Sequence, residues 1–239
     1  MNICIDAGNS RVKFGIFDED NLCEVFIHQS MDINYIESVY EKYQFTRGLI
    51  CGSRHIEKEV LSQLADKYDI RILTHNTPLP IKNLYRTPES LGKDRLAGAV
   101  GGHFAFPFYD NLIIDLGTAN TYNYVNQRAE FFGGNIAPGL AMRINLLHQG
   151  TDKLPMVSLH GEVNLYGMDT ESALRNGAIL GTIAEIEYYK KRFSEQYSAI
   201  NIILTGGNAG VISHYLQNSY VIKPDLVLEG LNKILLHNA

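Results

Sequence analysis

The sequence has little that would suit a secreted, membrane-spanning or disulfide-bonded protein. Three cysteines occur among 239 residues, Cys4, Cys23 and Cys51, and their wide spacing fits neither a disulfide framework nor a zinc site. No apolar stretch approaches the roughly 18 residues that a membrane helix requires. An aspartate at position 6 interrupts the N-terminus too early for a signal peptide. We therefore expect a cytoplasmic protein with no membrane partner.

Positive charge is also scarce. The 21 lysines and arginines are outnumbered by 26 aspartates and glutamates, which gives a net charge of -5 and an isoelectric point near 5.9. The chain contains no run of lysine and arginine longer than three residues, whereas nucleic-acid-binding proteins concentrate positive charge on one surface. The sequence therefore predicts no nucleic-acid partner.

Several well-known nucleotide and metal motifs are missing as well. Gly92-Lys93 is followed by aspartate instead of serine or threonine, and no glycine stands five residues upstream, which excludes a Walker A loop. The motif set of protein kinases is absent, and the eight histidines form no metal-binding pair at helical spacing. Any nucleotide chemistry in this chain must therefore use a different architecture.

The residues that are present indicate a globular α/β protein. Hydrophobic residues make up 45% of the chain and charged residues 20%, and the length allows one large domain or two small ones. Apolar periodicity in the first part of the chain predicts the element order βββαβαβ. The predicted strands cover 2–5, 12–17, 22–27, 48–52 and 70–73, and the predicted helices lie around 33–40 and 56–65.

The second part of the chain repeats the first. Asp6-Ala7-Gly8-Asn9 and Asp115-Leu116-Gly117-Thr118 are 109 positions apart, and each turn joins two apolar strands. This spacing predicts a duplicated domain, with copies at 1–108 and 109–239 and a cleft between them. Gly52 and Gly206 are 154 positions apart, or 45 more, so we expect an insertion near 133–155 in the second copy.

The same reasoning gives the elements of the second copy. We expect strands at 111–115, 121–125, 200–205 and 220–222, with a further strand starting at 130–133. Helices are expected around 140–147, 170–193 and 226–236. The segment from Gly133 to Gly139 suits either a turn before a helix or a backbone wall around a substrate.

Both Asp-x-Gly turns have the composition of a phosphate and metal site. Glycine lets backbone N–H groups approach phosphate oxygens, and a carboxylate can hold a hydrated cation. In the first turn Asn9 and Ser10 add further donors, and Lys13 can meet phosphate charge. One such turn is also ordinary hairpin chemistry, but two at equivalent places in a duplicated fold favour a functional site.

Tyr85 to Arg95 joins the two copies and opens a helix whose predicted apolar face is Leu96, Ala97, Val100 and Phe104. Asp94 would stand in the first turn of that helix, where the helix dipole alone could account for it. Its place between the copies instead favours a role beside a phosphate donor and an acceptor hydroxyl. Arg95 could engage an anion.

These segments, together with Gly133 to Gly139 and Thr151 to Pro155, resemble the type III pantothenate kinase family over most of the chain. The combination of Tyr85, Gly92-x-Asp94-Arg95 and the two Asp-x-Gly turns carries the resemblance. It implies the actin-like ATPase fold of acetate and sugar kinases and heat-shock 70 proteins, with two ribonuclease-H-like domains and mixed sheets. It also implies ATP-dependent phosphorylation of pantothenate to 4'-phosphopantothenate in a cytoplasmic homodimer that uses Mg²⁺ and a monovalent cation, K⁺ or NH₄⁺.

The resemblance also implies a role for each matching residue. Asp94 would be the general base, and Asp115 would bind the monovalent cation. Thr170 would contact pantothenate, although here it follows aspartate where the family more often has asparagine. The nucleotide would be bound by Asp6, Ala7, Gly8, Asn9, Ser10, Arg11, Val12, Lys13 and Thr118. Pantothenate would be bound by Tyr85, Gly92, Lys93, Asp94, Arg95 and Thr170.

Two other functions fit the same sequence. A kinase of this superfamily could act on another small hydroxylated acid or sugar. Alternatively, the chain could be an accessory regulator of transcription, a function also described for this family, although its acidic charge argues against direct contact with DNA.

Overall fold

The computed structural model describes residues 1–52, 56–216 and 220–239 as a mixed α/β protein. The strands are β1 (Asn2–Ala7), β2 (Val12–Asp18), β3 (Asn21–His28), β4 (Arg47–Gly52), β5 (Ile70–Ile72), β6 (Lys82–Asn83), β7 (Asp110–Leu116), β8 (Ala119–Val125), β9 (Glu130–Pro138), β10 (Ile200–Thr205) and β11 (Val221–Ile222). The helices are α1 (Ile33–Tyr43), α2 (Lys58–Tyr68), α3 (Lys93–Ala105), α4 (Leu140–Gln149), α5 (Thr170–Gln196), α6 (Ala209–Ser213) and α7 (Leu226–His237).

Contacts divide the chain into two compact units. The first comprises Met1–Phe108, Val125–Gly133 and Asp225–Ala239, and the second comprises Tyr109–Tyr124 and Gly134–Pro224. Two segments of the sequence-based second copy, 125–133 and 225–239, therefore pack within the first unit. The boundary at 108/109 stays a prediction about the repeat.

The first unit contains a five-stranded sheet in the order β3-β2-β1-β4-β5. β1 is antiparallel to β2 and parallel to β4, which is in turn parallel to β5. Alternate residues of a strand point to opposite faces, so Ile3 and Ile5 enter the core with α1 and α2, while Cys4 enters the core with α3 and α7. Asp6 shares the face of Cys4 and thus lies on the side of α3 and α7.

α3 and α7 pack at unusually short distance because glycines replace side chains where they meet. A Cβ atom at Gly101 would lie 2.3 Å from the carbonyl oxygen of Leu226, and one at Gly230 would lie 1.9 Å from the carbonyl oxygen of Ala97. The backbones of the two helices are therefore in direct contact. This contact fixes the position of α3, whose first turn carries Asp94.

The second unit is built on β7 and β10, which pair in parallel. The sheet that contains them has the order β11-β10-β7-β8-β9-β6. Leu112 and Ile114 of β7 pack with Leu204 of β10 and with Ile179 and Ile186 of α5, and all five side chains are buried. The long helix α5 therefore covers one face of the central strands.

The predicted duplication is visible in matching strand positions. Asp6 and Asp115 are each the second-last residue of a buried strand, β1 and β7. In the parallel neighbour, Cys51 stands opposite Asp6 and Thr205 stands opposite Asp115. Gly52 and Gly206 follow directly, and both adopt positive φ, 154° and 88°. Gly52 and Gly206, which are 154 positions apart in the sequence, therefore occupy equivalent places at the ends of β4 and β10.

The structure departs from the sequence-based expectations at two places. Residues 133–138 continue strand β9 instead of forming a turn, and Gly139 is the N-cap of α4. β9 lies between β8 and β6, but β6 pairs only with Glu130 and Phe131, so the glycines and the proline lie beyond the part of β9 that β6 covers. Phe104, expected on the buried face of α3, is 40% exposed. The extra residues of the second copy fall between β9 and β10, and the limits of 133–155 for the insertion stay a prediction.

Candidate active site

Three side chains of the first unit form a row across the end of β1. Lys13 on β2 and Cys51 on β4 both stand opposite Asp6. Directly opposed residues of neighbouring strands point to the same face, so all three side chains face α3 and α7. The thiol of Cys51 donates a weak hydrogen bond to Asp6 Oδ1 at 3.9 Å. A buried thiol and an amine therefore flank the Asp6 carboxylate.

Asp6 has a strongly perturbed carboxyl group. Desolvation by burial and the negative charge of Asp94 raise its pKa to about 6, against an opposing influence of Lys13 and a smaller one of Arg11. The ordinary value is 3.8. Such a shift is common where two carboxylates share one site, as they do in catalytic pairs and metal sites. Asp6 and Asp94 therefore interact electrostatically although 88 positions separate them in the sequence.

Asp94 stands in the first turn of α3, as predicted. Its Oδ1 accepts a hydrogen bond from the backbone N–H of Arg95 at 2.8 Å. A Cβ atom at Gly92, the N-cap, would lie 2.5 Å from this same oxygen. Because Gly92 has no side chain, the Asp94 carboxylate can occupy this space. This gives a steric reason for the Gly-x-Asp spacing.

Lys13 is held by a carboxylate at the start of α7. Its Nζ lies 2.9 Å from Asp225 Oδ1, and both side chains are largely shielded from solvent. Asp225 is the N-cap residue of α7, although its side chain makes no capping hydrogen bond. The ion pair therefore connects the β1–β2 hairpin to α7 and fixes the ammonium group near the end of β1.

Tyr85, Arg95 and Gly133 form a second cluster of the first unit. The Arg95 guanidinium lies over the Tyr85 ring, 5.5 Å from its centroid. Gly133 adopts a φ of 107°, and a Cβ atom there would lie 2.6 Å from Cδ2 of the ring. The ring is thus held between a glycine backbone and a cation, and the Arg95 side chain is only 7% exposed. The structure thus brings together Tyr85 and Arg95, two of the residues predicted to bind pantothenate.

Lys93 makes contacts that sequence reasoning did not anticipate. Its ammonium group donates to the backbone carbonyls of Leu91 at 2.7 Å, Pro88 at 3.1 Å and Glu89 at 3.4 Å. These bonds hold the loop before α3. Its predicted contact with a substrate stays a prediction.

The second Asp-x-Gly turn belongs to the second unit and is built differently. Four residues, 8–11, connect β1 to β2, whereas Gly117 and Thr118 alone connect β7 to β8. Asn208 donates to this turn twice, from its backbone N–H to the Leu116 carbonyl at 2.9 Å and from Nδ2 to the Gly117 carbonyl at 3.4 Å. A Cβ atom at Gly206 would lie 2.3 Å from Asp115 Oδ1. The turn is therefore tightly packed around Asp115.

Ala7 and Val12 of the predicted nucleotide site are buried and Gly8 is partly buried, whereas the other predicted residues lie at exposed positions. Asn9, Ser10 and Arg11 form the exposed tip of the first turn, and Thr118 is exposed in the second. Thr170 is the first residue of α5 and is exposed. The preceding Asp169 forms a capping box with Ser172, which explains an aspartate at this position by helix capping.

Sequence reasoning missed two residues of this site, Cys51 beside Asp6 and Asp225 beside Lys13. Cys51 was read as part of an apolar strand, and the alignment of β4 with β1 brings it to Asp6. Asp225 follows proline and precedes an apolar helical pattern, which is the signal of an N-cap. That signal predicts where α7 begins, but it does not predict that Asp225 pairs with Lys13.

The donor atoms of the site fit a hydrated divalent cation. Among the residues that the structure describes, no group of three histidine, cysteine, aspartate or glutamate side chains could form a complete metal cage. Mg²⁺ in phosphotransfer sites is commonly bound by one or two carboxylates together with phosphate oxygens and water. Asp6 and Asp94 provide such a pair.

In the described part of the chain, no helix could span a membrane.

Comparison with known proteins identifies the family. Residues 2–192 match the family model for type III pantothenate kinase. The type III pantothenate kinase of Phocaeicola vulgatus is 39% identical over 239 residues, which cover 100% of this chain and 99% of that protein.

Solved structures with lower identity share the fold. A conserved protein from Campylobacter jejuni, assigned to the Baf family of transcriptional activators, superimposes with a TM-score of 0.64 at 19% identity and covers 99% of this chain and 98% of its own. The activator of 2-hydroxyisocaproyl-CoA dehydratase from Clostridium difficile, solved with bound ADPNP, gives a TM-score of 0.54 at 11% identity, with 99% of this chain and 93% of its own covered. The predicted fold of two actin-like ATPase domains with mixed sheets is confirmed, and this chain belongs to the type III pantothenate kinase family.

Proposed function

We propose that this protein transfers the γ-phosphoryl group of ATP to the hydroxyl group of pantothenate. The product is 4'-phosphopantothenate, in the first step of coenzyme A biosynthesis. The observation that carries the proposal is the electrostatic pairing of Asp6 with Asp94 in a chain of this family. Phosphoryl transfer depends on alignment and charge neutralisation more than on covalent participation by the protein. The residues around Asp6 can supply both.

The first turn would bind the phosphates of ATP. Residues from Asp6 to Lys13 contribute backbone N–H groups at Gly8 and the Lys13 ammonium group, which Asp225 already holds near the end of β1. Thr118 would add a contact from its own turn. Asp6 would hold Mg²⁺, which neutralises phosphate charge when bound, and this leaves Asp94 for the substrate hydroxyl.

Asp94 would act as the general base. Its Oδ1 is engaged by the Arg95 backbone N–H, so Oδ2 would take the proton of the pantothenate hydroxyl while the hydroxyl oxygen attacks the γ-phosphorus and ADP leaves. Gly92 keeps the carboxylate in this orientation. A general base needs such a fixed direction because proton transfer requires hydrogen-bond contact.

Arg95 and Tyr85 would recognise pantothenate. Pantothenate carries a carboxylate, and a largely buried guanidinium in a fixed position suits a carboxylate ligand. The Tyr85 ring fixes that guanidinium from one side. Gly92, Lys93 and Thr170 would complete the substrate contacts that the family resemblance assigns.

Asp115 would hold the monovalent cation, K⁺ or NH₄⁺. Hard cations take oxygen ligands, and the Asp115 carboxylate lies in a closely packed turn. We further propose that the enzyme is a cytoplasmic homodimer without nucleic-acid or membrane partners. Large apolar side chains at Leu165, Tyr166 and Met168 are 88%, 72% and 87% exposed, which suits a surface that a second copy covers.

An assay of the purified protein tests the proposal. ATP hydrolysis coupled to product formation is measured with pantothenate and, separately, with other small hydroxy acids and sugars. We expect phosphopantothenate, identified by mass spectrometry, and little product from the other acceptors. Turnover of a different acceptor with none of pantothenate would assign another substrate, and inactivity with every acceptor would contradict a kinase.

A further inference from the structure

The loop 86–92 connects two parts of the proposed acceptor site. Tyr85 precedes this loop, and Asp94 follows it in the first turn of α3. The Tyr85 ring packs against Gly133, and Gly92 at the end of the loop leaves space for the Asp94 carboxylate. The conformation of the loop therefore affects how the tyrosine ring and the carboxylate are placed relative to each other.

Ser90 closes a turn in the first part of this loop. Its backbone N–H donates to the Thr87 carbonyl at 3.1 Å, and its hydroxyl oxygen lies 3.0 Å from the same carbonyl oxygen and 2.9 Å from Thr87 Oγ1. Thr87, Glu89 and Ser90 are exposed, so water competes for the hydrogen bonds of the turn. Loops whose backbone hydrogen bonds are exposed open easily unless further contacts hold them.

Lys93 provides those further contacts. Its side chain reaches back from the first residue of α3, and Nζ lies 2.7 Å from the carbonyl oxygen of Leu91, 3.1 Å from that of Pro88 and 3.4 Å from that of Glu89. An ammonium group has three N–H donors, and three carbonyl oxygens lie within hydrogen-bond distance of this one. The donors of Lys93 are therefore all engaged within the loop.

We propose that Lys93 is a positioning residue of the acceptor site, whose ammonium group holds the loop in the conformation that pantothenate requires. Because its donors are engaged, the ammonium group does not bind the pantothenate carboxylate, which Arg95 would bind. The substrate contact that the family resemblance assigns to Lys93 falls to its main chain. This inference rests on the proposed function, since it concerns the acceptor of that reaction.

Loss of this ammonium group should weaken the binding of pantothenate more than it slows turnover. Without it, three carbonyls lose a donor and the loop adopts further conformations that do not bind the acceptor. A ligand that requires one conformation binds with an apparent affinity that is reduced by the populated fraction of that conformation. Once pantothenate is bound the loop is ordered again, so kcat and the binding of ATP should change little.

Hydrogen exchange in the absence of any substrate tests the loop itself. Backbone amides within 86–92 should exchange about tenfold faster or more in Lys93→Ala than in the wild type. Lys58→Ala is the matched control, because Lys58 is also the first residue of a helix, α2, and is exposed. A lysine that contacted only the substrate would leave this exchange unchanged. Unchanged exchange of the loop in Lys93→Ala would therefore overturn the proposal.

Steady-state kinetics in buffer with saturating K⁺ test the effect on the acceptor. In Lys93→Ala the KM for pantothenate should rise about tenfold or more, whereas kcat and the KM for ATP should stay within about threefold of the wild type. Lys93→Met should show the same separation, and thermal unfolding checks that each variant folds. An unchanged KM for pantothenate would overturn the proposal. A wild type that is inert with pantothenate would contradict the proposed function, while the exchange measurement would still decide whether Lys93 holds the loop.

Propylammonium tests whether the N–H donors themselves are responsible. Together with the alanine methyl group it replaces the missing part of the lysine side chain, so it should return both the loop exchange and the KM of Lys93→Ala towards the wild-type values. Propanol lacks the charge, trimethylpropylammonium lacks the N–H donors, and in Lys93→Met the space is filled, so none of these combinations should respond. Equal recovery with propanol or trimethylpropylammonium would overturn the role of the ammonium group.

Discussion

The ammonium nitrogen of Lys13 lies 2.9 Å from the Asp225 carboxylate, across 212 positions of sequence. A second lysine–aspartate pair, Lys233 with Asp20 at 2.8 Å, also joins α7 to the hairpin region of the first sheet. The two pairs are alike in chemistry and distance. They differ in position, because Lys13 stands opposite Asp6 and Lys233 does not.

This difference gives a matched pair of variants. Lys13→Met should lower kcat/KM for ATP about 10- to 100-fold, because a charged contact with phosphate is worth about 1.5 to 3 kcal/mol. Lys233→Met should leave the kinetics unchanged, and each variant should lose about 1 kcal/mol or less of unfolding free energy. Steady-state kinetics with varied ATP and urea denaturation provide the measurements. Equal kinetic losses in both variants would remove Lys13 from the nucleotide site.

Replacement of the proposed base should abolish most of the turnover. Asp94→Asn removes the proton acceptor while it keeps the shape of the side chain, and we expect kcat to fall about 10² to 10⁴-fold with the fold intact. The control is Glu59→Gln, which alters another acidic residue in the first turn of a helix, at an exposed position of α2. Circular dichroism and the coupled assay compare them. Near-normal turnover of Asp94→Asn would contradict the assignment.

A single methyl group beside the base should also be harmful. In Gly92→Ala the new Cβ atom would lie 2.5 Å from Asp94 Oδ1, so the carboxylate must move, and we expect kcat to fall about 10- to 100-fold. Gly177→Ala in α5 is the matched control, because a Cβ atom there meets nothing within 4 Å. That variant should be active and more stable by roughly 0.5 to 1 kcal/mol. Full activity of Gly92→Ala would show that the carboxylate tolerates displacement.

The raised pKa of Asp6 predicts an unusual pH dependence of stability. Between the ordinary pKa of 3.8 and the folded value of about 6, the folded protein holds a proton that the unfolded chain has released. The contribution of Asp6 is therefore favourable at low pH and is lost as pH rises through this window. Asp6→Asn should stabilise the protein by about 1 to 3 kcal/mol at pH 7.5 and have little effect near pH 4.

Urea denaturation of wild type and Asp6→Asn at both pH values measures this difference. The same variant should lose activity at pH 7.5, since the neutral amide cannot hold Mg²⁺ as a carboxylate does. A stabilising effect that is as large at pH 4 as at pH 7.5 would show that Asp6 has an ordinary pKa. A destabilising effect at pH 7.5 would contradict the role of desolvation.

The proposed cation at Asp115 predicts a requirement for K⁺ or NH₄⁺. Activity in buffer that contains only Na⁺ should be a small fraction of that in K⁺. A site whose oxygen ligands are spaced for the larger ions would bind the smaller Na⁺ weakly. Asp115→Asn should be weakly active and insensitive to the choice of cation. Undiminished wild-type activity in Na⁺ would argue against a cation at Asp115.

Much of the fold was predictable because its main strands are buried on both faces and read as continuous apolar runs. The equivalence of Asp6 and Asp115 could be read from the sequence, since each ends such a run before glycine. The strand through Gly133 and Gly134 could not, because local glycine content favours a turn, whereas β9 continues as a strand in the sheet between β8 and β6. Tertiary pairing overrides local propensity at such positions.

The candidate site was predictable where residues are close in sequence and not where folding joins distant ones. Gly92, Asp94 and Arg95 form one short motif. Cys51 and Asp225 reach the site only through the register of β4 with β1 and the start of α7. A sequence gives no direct signal for either relationship, because both depend on long-range strand pairing and helix packing.

The glycine-mediated contact of α3 with α7 limits which substitutions the protein can tolerate there. The helix that carries Asp94 rests on main-chain atoms, which cannot rearrange as side chains do. Any residue larger than glycine at position 101 or 230 would have to tilt a whole helix, and the displacement would reach the first turn of α3. Substitution of either glycine, neither of which has a side chain that takes part in the chemistry, should therefore disturb Asp94 as well as the helix packing.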